Sequence, residues 1–324
     1  MNYIQSAPKA ELHVHLEGSG SLRYWENNFP ELFKEIKNFL TLEKKSLPIF
    51  LQCMEKIHRA LRTPEHYYDI CVDFLDQAIK ENIRYVEITW APGGIWEFHK
   101  ISPELAFQAI SRAIYEKRYF IEARVLIDII RNQPLCVADM IINWLKSYMP
   151  KEVVGINFGG DEGKYTVDPF IPIFSEAKSI GLGVSIHAGE SIKEEKLMEA
   201  VRLVNPDRIG HATSLRSKNN IEEIVRKNIH IEASPKSNQA LGYIENISDH
   251  PIIRHKHINA SLNTDDRTFF SKSLTEEIEN LLSINALDIY DVARFQIHAA
   301  NSSFAKDNPL GLQKVINYWS NFNG

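Results

Sequence analysis

Residues 64–90, PEHYYDICVDFLDQAIKENIRYVEITW, join a helical pattern to a short β-rich run, and this two-part unit decides the fold. In its first part Ile70, Phe74 and Ala78 are four residues apart, which is the spacing of one apolar helix face. Thr63 supplies an N-cap residue before a proline at the first helical position. The unit therefore predicts a helix followed directly by a strand.

Runs of the second kind recur along the chain, and each is short and rich in β-forming residues. They are ELHVHL (11–16), IRYVEITW (83–90), EARVLIDI (122–129), VVGINFGG (153–160), GVSIHAGE (183–190), RIGHAT (208–213), HIEASP (230–235) and NASLNTDD (259–266). Helical patterns lie between most of them. Strands that alternate with helices pair in parallel, and eight such units match a closed barrel better than an open doubly wound sheet. The sequence predicts a single (β/α)8 TIM barrel.

We expect one domain over residues 1–324, because a chain of this length with 44% hydrophobic residues can form a complete core. No low-complexity linker divides it. Residues 21–62 form a longer, partly helical insertion after the first predicted strand. The insertion is apolar enough to pack either as a lid or as additional helices over the core, through Trp25, Phe29, Leu40, Phe50 and Leu51.

Composition excludes several classes of partner. The formal net charge of -5 lacks the basic surface that nucleic-acid binding needs. The three cysteines, Cys53, Cys71 and Cys136, are odd in number, form no CxxC pair and indicate a reduced, cytoplasmic protein. No signal-peptide pattern and no run of 18 apolar residues is present, so we expect no membrane association. The oligomeric state is not specified by these features.

Polar residues follow several of the predicted strands at the point where each strand ends. In a (β/α)8 barrel the carboxyl ends of the strands build the active site, so polar residues there carry more information than elsewhere. They are His13 and His15 at the first strand, His187 and Glu190 at the fifth, His211 at the sixth, and Asp265 and Asp266 at the eighth.

Four of these residues have the chemistry of a metal site. His13 and His15 are two apart on a strand, so both imidazoles point to the same face. His187 and Asp265 would complete a mixed nitrogen and oxygen site, which suits one Zn²⁺ ion per chain and leaves a position for water. An isolated His-x-His pair is a weak signal, but HVH, HAGE, GHA and NTDD each close a different predicted strand. The remaining histidines have no comparable context, and we expect them to be structural or solvated.

The chain resembles the adenosine deaminase family through six segments, and the resemblance runs essentially from end to end. Taken together in this order, the segments are a specific signature of the family, and the spacing of 24 residues between His187 and His211 is part of it. The segments are PKAELHVHLEG (8–18), FGGDE (158–162), HAGE (187–190), RIGHAT (208–213), SLNTDD (261–266) and AANSSF (299–304).

The resemblance implies a role for each polar residue in a hydrolytic deamination. It implies that His13, His15, His187 and Asp265 bind zinc. Glu190 would protonate the purine ring nitrogen beside the carbon under attack, and His211 would orient and stabilise the attacking hydroxide. The substrate contacts implied are Asp266 to the five-ring nitrogen, the backbone of Gly160 to the six-ring nitrogen on the opposite side, and His15 and Glu17.

The chemistry requires this division of roles independently. Water is too weak a nucleophile for an aromatic ring carbon at pH 7, and its addition places negative charge on the ring that an acid must neutralise. Glu190 must therefore be protonated when substrate binds, and a dry site beside Asp266 would raise its pKa. Alone, Glu190 could equally open the helix predicted from SIKEEKLMEA (191–200). Its position three residues after His187 favours the catalytic role.

The choice of aminopurine stays open. Glu17 in HLEG stands where many adenosine deaminases resemble HLDG, and its extra methylene would crowd the 5′ end of a ribose. Adenine deaminases and aminodeoxyfutalosine deaminases also carry Glu there, whereas SLNTDD favours adenosine or deoxyadenosine. Trp90, Trp96 and Phe98 after the second strand could stack on a bulkier 5′ group or simply pack.

Two other functions compete with a deaminase. A two-metal hydrolase acting on an amide, lactone or phosphoester usually needs a lysine at a barrel strand end, and the fourth run, VVGINFGG, has none. A barrel that binds a nucleoside without turnover would be expected to lack a metal ligand or the acid, and here none is missing. The sequence therefore favours zinc-dependent deamination of a small-molecule 6-aminopurine.

Overall fold

Eight parallel strands form one sheet in which each strand pairs with the next one in the chain. The computed structural model describes residues 3–270 and 272–322. The strands are β1 (Lys9–His15), β2 (Ile83–Trp90), β3 (Glu122–Ile130), β4 (Val153–Gly159), β5 (Gly183–Ala188), β6 (Arg208–His211), β7 (His230–Ala233) and β8 (Ala260–Leu262). The predicted (β/α)8 barrel is confirmed, and each of the eight predicted runs overlaps one of these strands.

The barrel closes at the seam between β8 and β1 with few strand-to-strand contacts. β8 ends at Leu262, earlier than the predicted run 259–266, and the chain then turns away. The amide of His15 donates to the carbonyl of Asp265 at 2.9 Å, and the amide of Leu12 donates to Oδ1 of Asn263 at 3.0 Å. Asp265 has a φ of 62°, so it lies in a left-handed turn rather than on a strand. The side chain of Asn263 thus replaces one of the backbone hydrogen bonds that a longer β8 would make with β1.

Helices surround the barrel and connect its strands. They are α1 (Tyr3–Ser6), α2 (Leu22–Asn28), α3 (Pro30–Leu40), α4 (Leu47–Ala60), α5 (Pro64–Lys80), α6 (Pro92–His99), α7 (Pro103–Lys117), α8 (Leu135–Ser147), α9 (Ile171–Ser179), α10 (Glu194–Val204), α11 (Lys218–Arg226), α12 (Pro235–Ala240), α13 (Pro251–Arg254), α14 (Leu274–Ser283), α15 (Ile289–Asn301) and α16 (Leu310–Ser320). Short 3-10 turns lie at Asp168–Phe170 and Ile247–Asp249. Among the helices described, none is both long enough and apolar enough to traverse a lipid bilayer.

The helix predicted from residue 64 forms as α5. Oγ1 of Thr63 accepts a hydrogen bond from the amide of His66 at 3.3 Å, which is the contact of an N-cap residue. Ile70, Phe74 and Ala78 are buried on its inner face. The apolar spacing in the sequence therefore identified both the helix and the side that packs on the barrel.

The insertion after β1 is helical, as predicted, and consists of α2, α3 and α4. Nε1 of Trp25 donates to Oγ1 of Thr268 at 3.1 Å, which ties α2 to the chain after β8. The ring of Phe50 on α4 lies 5.4 Å from that of Phe269 and 5.1 Å from that of Phe270. The insertion therefore packs against residues 268–270, in the segment that follows β8 and contains Asp265.

A buried ionic group lies inside the barrel, below the strand ends. Nη2 of Arg208 is 2.6 Å from Oε2 of Glu87, and its Nε is 2.6 Å from Oε1 of Glu232. The guanidinium also stacks on Phe304, 3.6 Å from the ring centre. Removing one member would leave a buried charge without its partner, which is strongly destabilising. The interior of the barrel is therefore partly polar below the predicted site.

Candidate active site

A cavity of about 510 Å³ opens at the carboxyl ends of the barrel strands. Its size is in the range of small-molecule binding sites. The residues predicted for the site line it, with His13 buried directly beneath; those on its wall are His15, Glu17, Gly160, His187, Glu190, His211, Asp265 and Asp266. The structure therefore brings together all of the site residues named from the sequence.

Three imidazoles and one carboxylate form a compact donor cluster. One donor atom from each of His13, His15, His187 and Asp265 lies within 4.8 Å of the others. Nε2 of His15 is 3.3 Å from Nε2 of His187 and 3.5 Å from Oδ1 of Asp265. Ligands about 2.0–2.1 Å from a tetrahedral Zn²⁺ ion would be about 3.3 Å apart. The cluster is therefore compatible with a metal site.

The states of His15 and His187 also fit a cation, whereas His13 would release a proton on binding one, because Asp265 and Glu232 raise its pKa to about 10 against the effect of burial. Nε2 of His13 is buried without a well-formed hydrogen bond, 3.3 Å from Oδ1 of Asp265. Burial lowers the pKa of His15 to about 3, and burial together with the neighbouring imidazoles lowers the pKa of His187 well below its usual value. Both rings are neutral at pH 7, which is the form that binds metals.

Two members of this cluster, His13 and Asp265, are contacted by one acid and one hydroxyl that the sequence did not single out. Nδ1 of His13 lies 2.7 Å from Oε2 of Glu232, and Oγ of Ser237 donates to Oδ2 of Asp265 at 2.6 Å. Burial alone would raise the pKa of Glu232, but Arg208 and His13 lower it to about 2, so the carboxylate is charged. The sequence signal that could have identified Glu232 is the presence of an acidic residue within the predicted strand 230–235.

The other two members of the cluster, His187 and His15, are contacted by side chains of β4 and β3. Nδ2 of Asn157 lies 3.3 Å from Nδ1 of His187 and donates to Oδ1 of Asp128 at 2.7 Å. Oδ2 of Asp128 is 3.7 Å from Nδ1 of His15. Partners of this kind fix the orientation of a ligand imidazole. Both residues lie within strands predicted from the sequence, but only the pairing of β1 through β5 brings them to the histidines.

Glu190 and His211 form a second cluster that shares Asp265 with the first one. Nε2 of His211 is 3.7 Å from Oε1 of Glu190, and one donor atom from each of the three residues lies within 4.8 Å of the others. Nδ2 of Asn238 donates to Nδ1 of His211 at 3.0 Å, so the neutral ring carries its hydrogen on Nε2, facing Glu190. Burial lowers the pKa of His211 to about 4.

Glu190 lies in the loop after β5 and not at a helix terminus. Helix α10 begins at Glu194, so the alternative of a helix-opening acid is not borne out. Burial, together with the negative charges of Asp265 and Glu162, raises the pKa of Glu190 well above its usual range. The side chain is 8% exposed and borders the cavity.

The residues expected to contact substrate lie on the same wall. Oδ1 of Asp266 is buried without a hydrogen-bond partner. A Cβ atom at Gly18 would lie 1.8 Å from this oxygen, so only glycine fits beside it. Oε1 of Glu17 accepts the amide of Ala91 at 3.0 Å, and burial raises the pKa of Glu17 to about 8. Gly160 follows β4 with a φ of 96°, a conformation that glycine adopts without strain.

The aromatic residues after β2 divide between packing and the cavity. Trp90 is fully buried, with its ring 6.0 Å from that of Tyr67 and 5.8 Å from that of Phe107. Trp90 therefore packs in the protein interior and is not available to a ligand. Phe98 lines the cavity, as do Leu47 and Leu51 of α4.

Comparison with known proteins gives a consistent result across the chain. A family model described as adenosine deaminase matches residues 8–316. The adenosine deaminase of Clostridium perfringens is 28% identical over 325 aligned positions, which cover 95% of this chain and 96% of the relative.

Solved structures with the same fold include an adenine deaminase and an amidohydrolase. The adenine deaminase of Arthrobacter aurescens is 21% identical with a TM-score of 0.87, covering 97% of this chain and 100% of its own. An amidohydrolase from Burkholderia ambifaria, solved with bound Zn, is 24% identical with a TM-score of 0.87, covering 98% of this chain and 90% of its own. At these identities the likeness establishes the fold of the barrel.

Proposed function

Because the chain belongs to the adenosine deaminase family and is an aminohydrolase, we propose that it removes the 6-amino group of adenosine or deoxyadenosine. The products are inosine or deoxyinosine and ammonia. One water molecule is consumed in each turnover, because its oxygen replaces the amino nitrogen on the ring.

Two overlapping clusters carry this proposal. The donor cluster of His13, His15, His187 and Asp265 adjoins the Glu190–His211 pair, and Asp265 belongs to both. A deaminase needs an activated water and a proton donor on either side of one ring carbon. The donor cluster would hold the metal that activates water, and the Glu190–His211 pair would supply the proton donor, within a single cavity.

We infer that the metal is Zn²⁺, one per chain. Support comes from the three nitrogen donors and one oxygen donor, their spacing, and the bound Zn in the Burkholderia relative. Zn²⁺ held by these residues would lower the pKa of water and so supply a nucleophile near neutral pH.

The remaining residues move and hold protons. Glu190 donates a proton to the ring nitrogen next to the carbon under attack, which neutralises the charge that addition places on the ring. His211, held through Nδ1 by Asn238, orients the attacking water through Nε2. The oxygen of water bonds to C6 and the bond from C6 to the amino nitrogen breaks. Of the two protons that the water brings, one replaces the proton that Glu190 gave to the ring, and the other leaves on the amino nitrogen as part of ammonia.

The substrate is held at the edges of its ring. Asp266, whose Oδ1 is buried without a partner, binds the five-ring nitrogen, and the backbone of Gly160 binds the six-ring nitrogen on the opposite side. His15 and Glu17 contact the substrate from β1 and the loop after it. These contacts fix the carbon that is attacked relative to both clusters.

Glu17 favours a second candidate substrate. Its buried carboxyl group borders the cavity, and the lining also contains the apolar side chains of Leu47, Phe50, Leu51 and Phe98 among polar residues of the same helices. An adenine nucleoside with a large 5′ group, such as aminodeoxyfutalosine, would bury that group there, whereas free adenine would leave the wall uncovered. Adenosine, a 5′-substituted nucleoside and adenine are therefore the substrates to compare.

We also infer that the protein acts in the cytoplasm. Cys53, Cys71 and Cys136 are all free thiols, and Cys136 is exposed. Exposed free thiols are typical of proteins in reducing compartments.

Loss of adenine absorbance tests the reaction directly. Adenosine, deoxyadenosine, adenine, 5′-methylthioadenosine and aminodeoxyfutalosine are assayed side by side, and zinc is measured in the same preparation. We expect turnover of adenosine or deoxyadenosine with about one zinc per chain, as a single tetrahedral site implies. Bound zinc without turnover of any aminopurine would contradict the proposal and favour another metal-dependent hydrolase or a binding protein.

A further inference from the structure

We propose that Glu162 is a positioning residue that holds Glu190 in place through the backbone of the loop after β5. The inference rests on the proposed role of Glu190 as proton donor. Glu162 is the last residue of FGGDE, and its side chain is 5% exposed. Its carboxylate faces the loop and not the cavity.

The carboxylate of Glu162 accepts hydrogen bonds from backbone amides on both sides of Glu190. Oε2 of Glu162 accepts the amide of Gly189 at 3.0 Å, and Oε1 accepts the amides of Ser191 and, at 3.3 Å, Ile192. The segment between β5 and α10 has no regular structure to satisfy these groups. Charge-assisted bonds to backbone amides are stronger than neutral ones, so Glu162 acts as the anchor of this loop.

The backbone carbonyl groups of the same segment are bound by residues that follow β6. Oγ1 of Thr213 lies 2.6 Å from the carbonyl oxygen of Gly189 and 3.0 Å from that of Glu190. The amide of Ser214 donates to the Gly189 carbonyl at 2.8 Å. The peptide groups around Glu190 are therefore fixed from two directions by residues distant in the sequence.

Arg131 supplies the positive charge that a buried carboxylate needs. Its Nη2 donates to the carbonyl of His187 at 2.7 Å, and its Nε donates to that of Gly159 at 3.2 Å. Arg131 and Glu162 attract each other across this region. Arg131 thus places a positive charge near the Glu162 carboxylate and holds the backbone at the end of β5.

The arrangement matters because a proton donor must lie within about 3 Å of its acceptor, and a shift of about 1 Å can cost about 100-fold in rate. Glu162→Gln keeps one acceptor oxygen but replaces the other by an amino group, which would face the amide of Gly189 or Ser191. The loop would move, and Glu190 would move with it.

A double-mutant cycle between Glu162→Gln and Glu190→Gln tests the inference. We expect Glu162→Gln alone to lower kcat by about 10- to 100-fold with KM changed by no more than about twofold. In the Glu190→Gln background, the same substitution should change kcat by less than about twofold, because its target is already disabled. Zinc content should stay at the wild-type level. Glu195→Gln, an exposed acid on α10, is the matched control and should leave kcat unchanged.

A purely structural role would give a different result. Losses that multiply in the double variant, loss of zinc, or an unchanged kcat in Glu162→Gln would each overturn the inference. If Glu162→Gln does not fold, Thr213→Val removes the hydroxyl from the other side and should show the same non-additivity with Glu190→Gln. A near-normal kcat in Glu190→Gln alone would instead refute the proposed function, so the two failures are distinguishable.

Discussion

Nδ1 of His13 lies 2.7 Å from Oε2 of Glu232, and this contact connects the metal-compatible cluster to the ionic group inside the barrel. The other carboxylate oxygen of Glu232 pairs with Arg208, which in turn pairs with Glu87. The imidazole is therefore held in one orientation, with Nε2 directed at the other donors. A rigid chain of charges, buried below the cavity, thus defines where a metal would be bound.

Glu232→Gln should weaken zinc binding by about 10- to 100-fold, because partners of ligand histidines typically contribute that much to metal affinity. Competition with a chromophoric chelator measures the affinity directly. Glu245→Gln, an exposed acid after α12, is the control and should bind zinc like the wild type. An unchanged zinc affinity in Glu232→Gln would show that the carboxylate does not act on His13.

Glu190→Gln should retain zinc while kcat falls by at least about 100-fold, which is the usual size of a general-acid contribution. The glutamine has nearly the same shape but cannot donate the proton. Steady-state kinetics and metal analysis on the same preparation separate the two effects. Turnover close to that of the wild type would remove Glu190 from the mechanism.

His13→Ala should lose zinc as well as turnover. The substitution removes one of four donors and leaves Glu232 without its imidazole partner. Metal analysis after dialysis measures the loss, and a thermal scan with and without added zinc should show a smaller stabilisation than in the wild type, where zinc at 100 times its Kd would add about 2.7 kcal/mol. Full zinc occupancy in this variant would contradict the ligand assignment.

Gly18→Ala should impair catalysis by displacing Asp266. The new methyl group would lie 1.8 Å from Oδ1 of Asp266, and the side chain must move to relieve that overlap. We expect kcat/KM to fall by about 10-fold or more, the effect of losing a buried hydrogen bond to substrate of about 1.5 kcal/mol. Zinc content should not change, because the nearest atoms to the new methyl group all belong to Asp266 and not to Asp265. An unaffected kcat/KM would argue that Asp266 does not hold the substrate.

Several features of this protein could be predicted from sequence because they depend on local periodicity. The spacing of Ile70, Phe74 and Ala78 identified α5 and its buried side. Repeated β-rich runs separated by helical patterns implied parallel strands, and parallel strands carry their carboxyl ends to one face. For that reason His13, His187 and Asp265 could be grouped without knowing any distance between them.

Other features depend on which side chains meet once the barrel has closed, and no local pattern contains that information. Glu232 contacts His13 across 219 positions of sequence, and Glu162 reaches the loop of Glu190 across 28. β8 ends after three residues because Asn263 and the Asp265 turn complete the seam with β1 in its place. The sequence by itself determined the barrel and the residues at its strand ends. Only the tertiary structure decided how those residues are held, because orientation is set by long-range contacts between neighbouring strands.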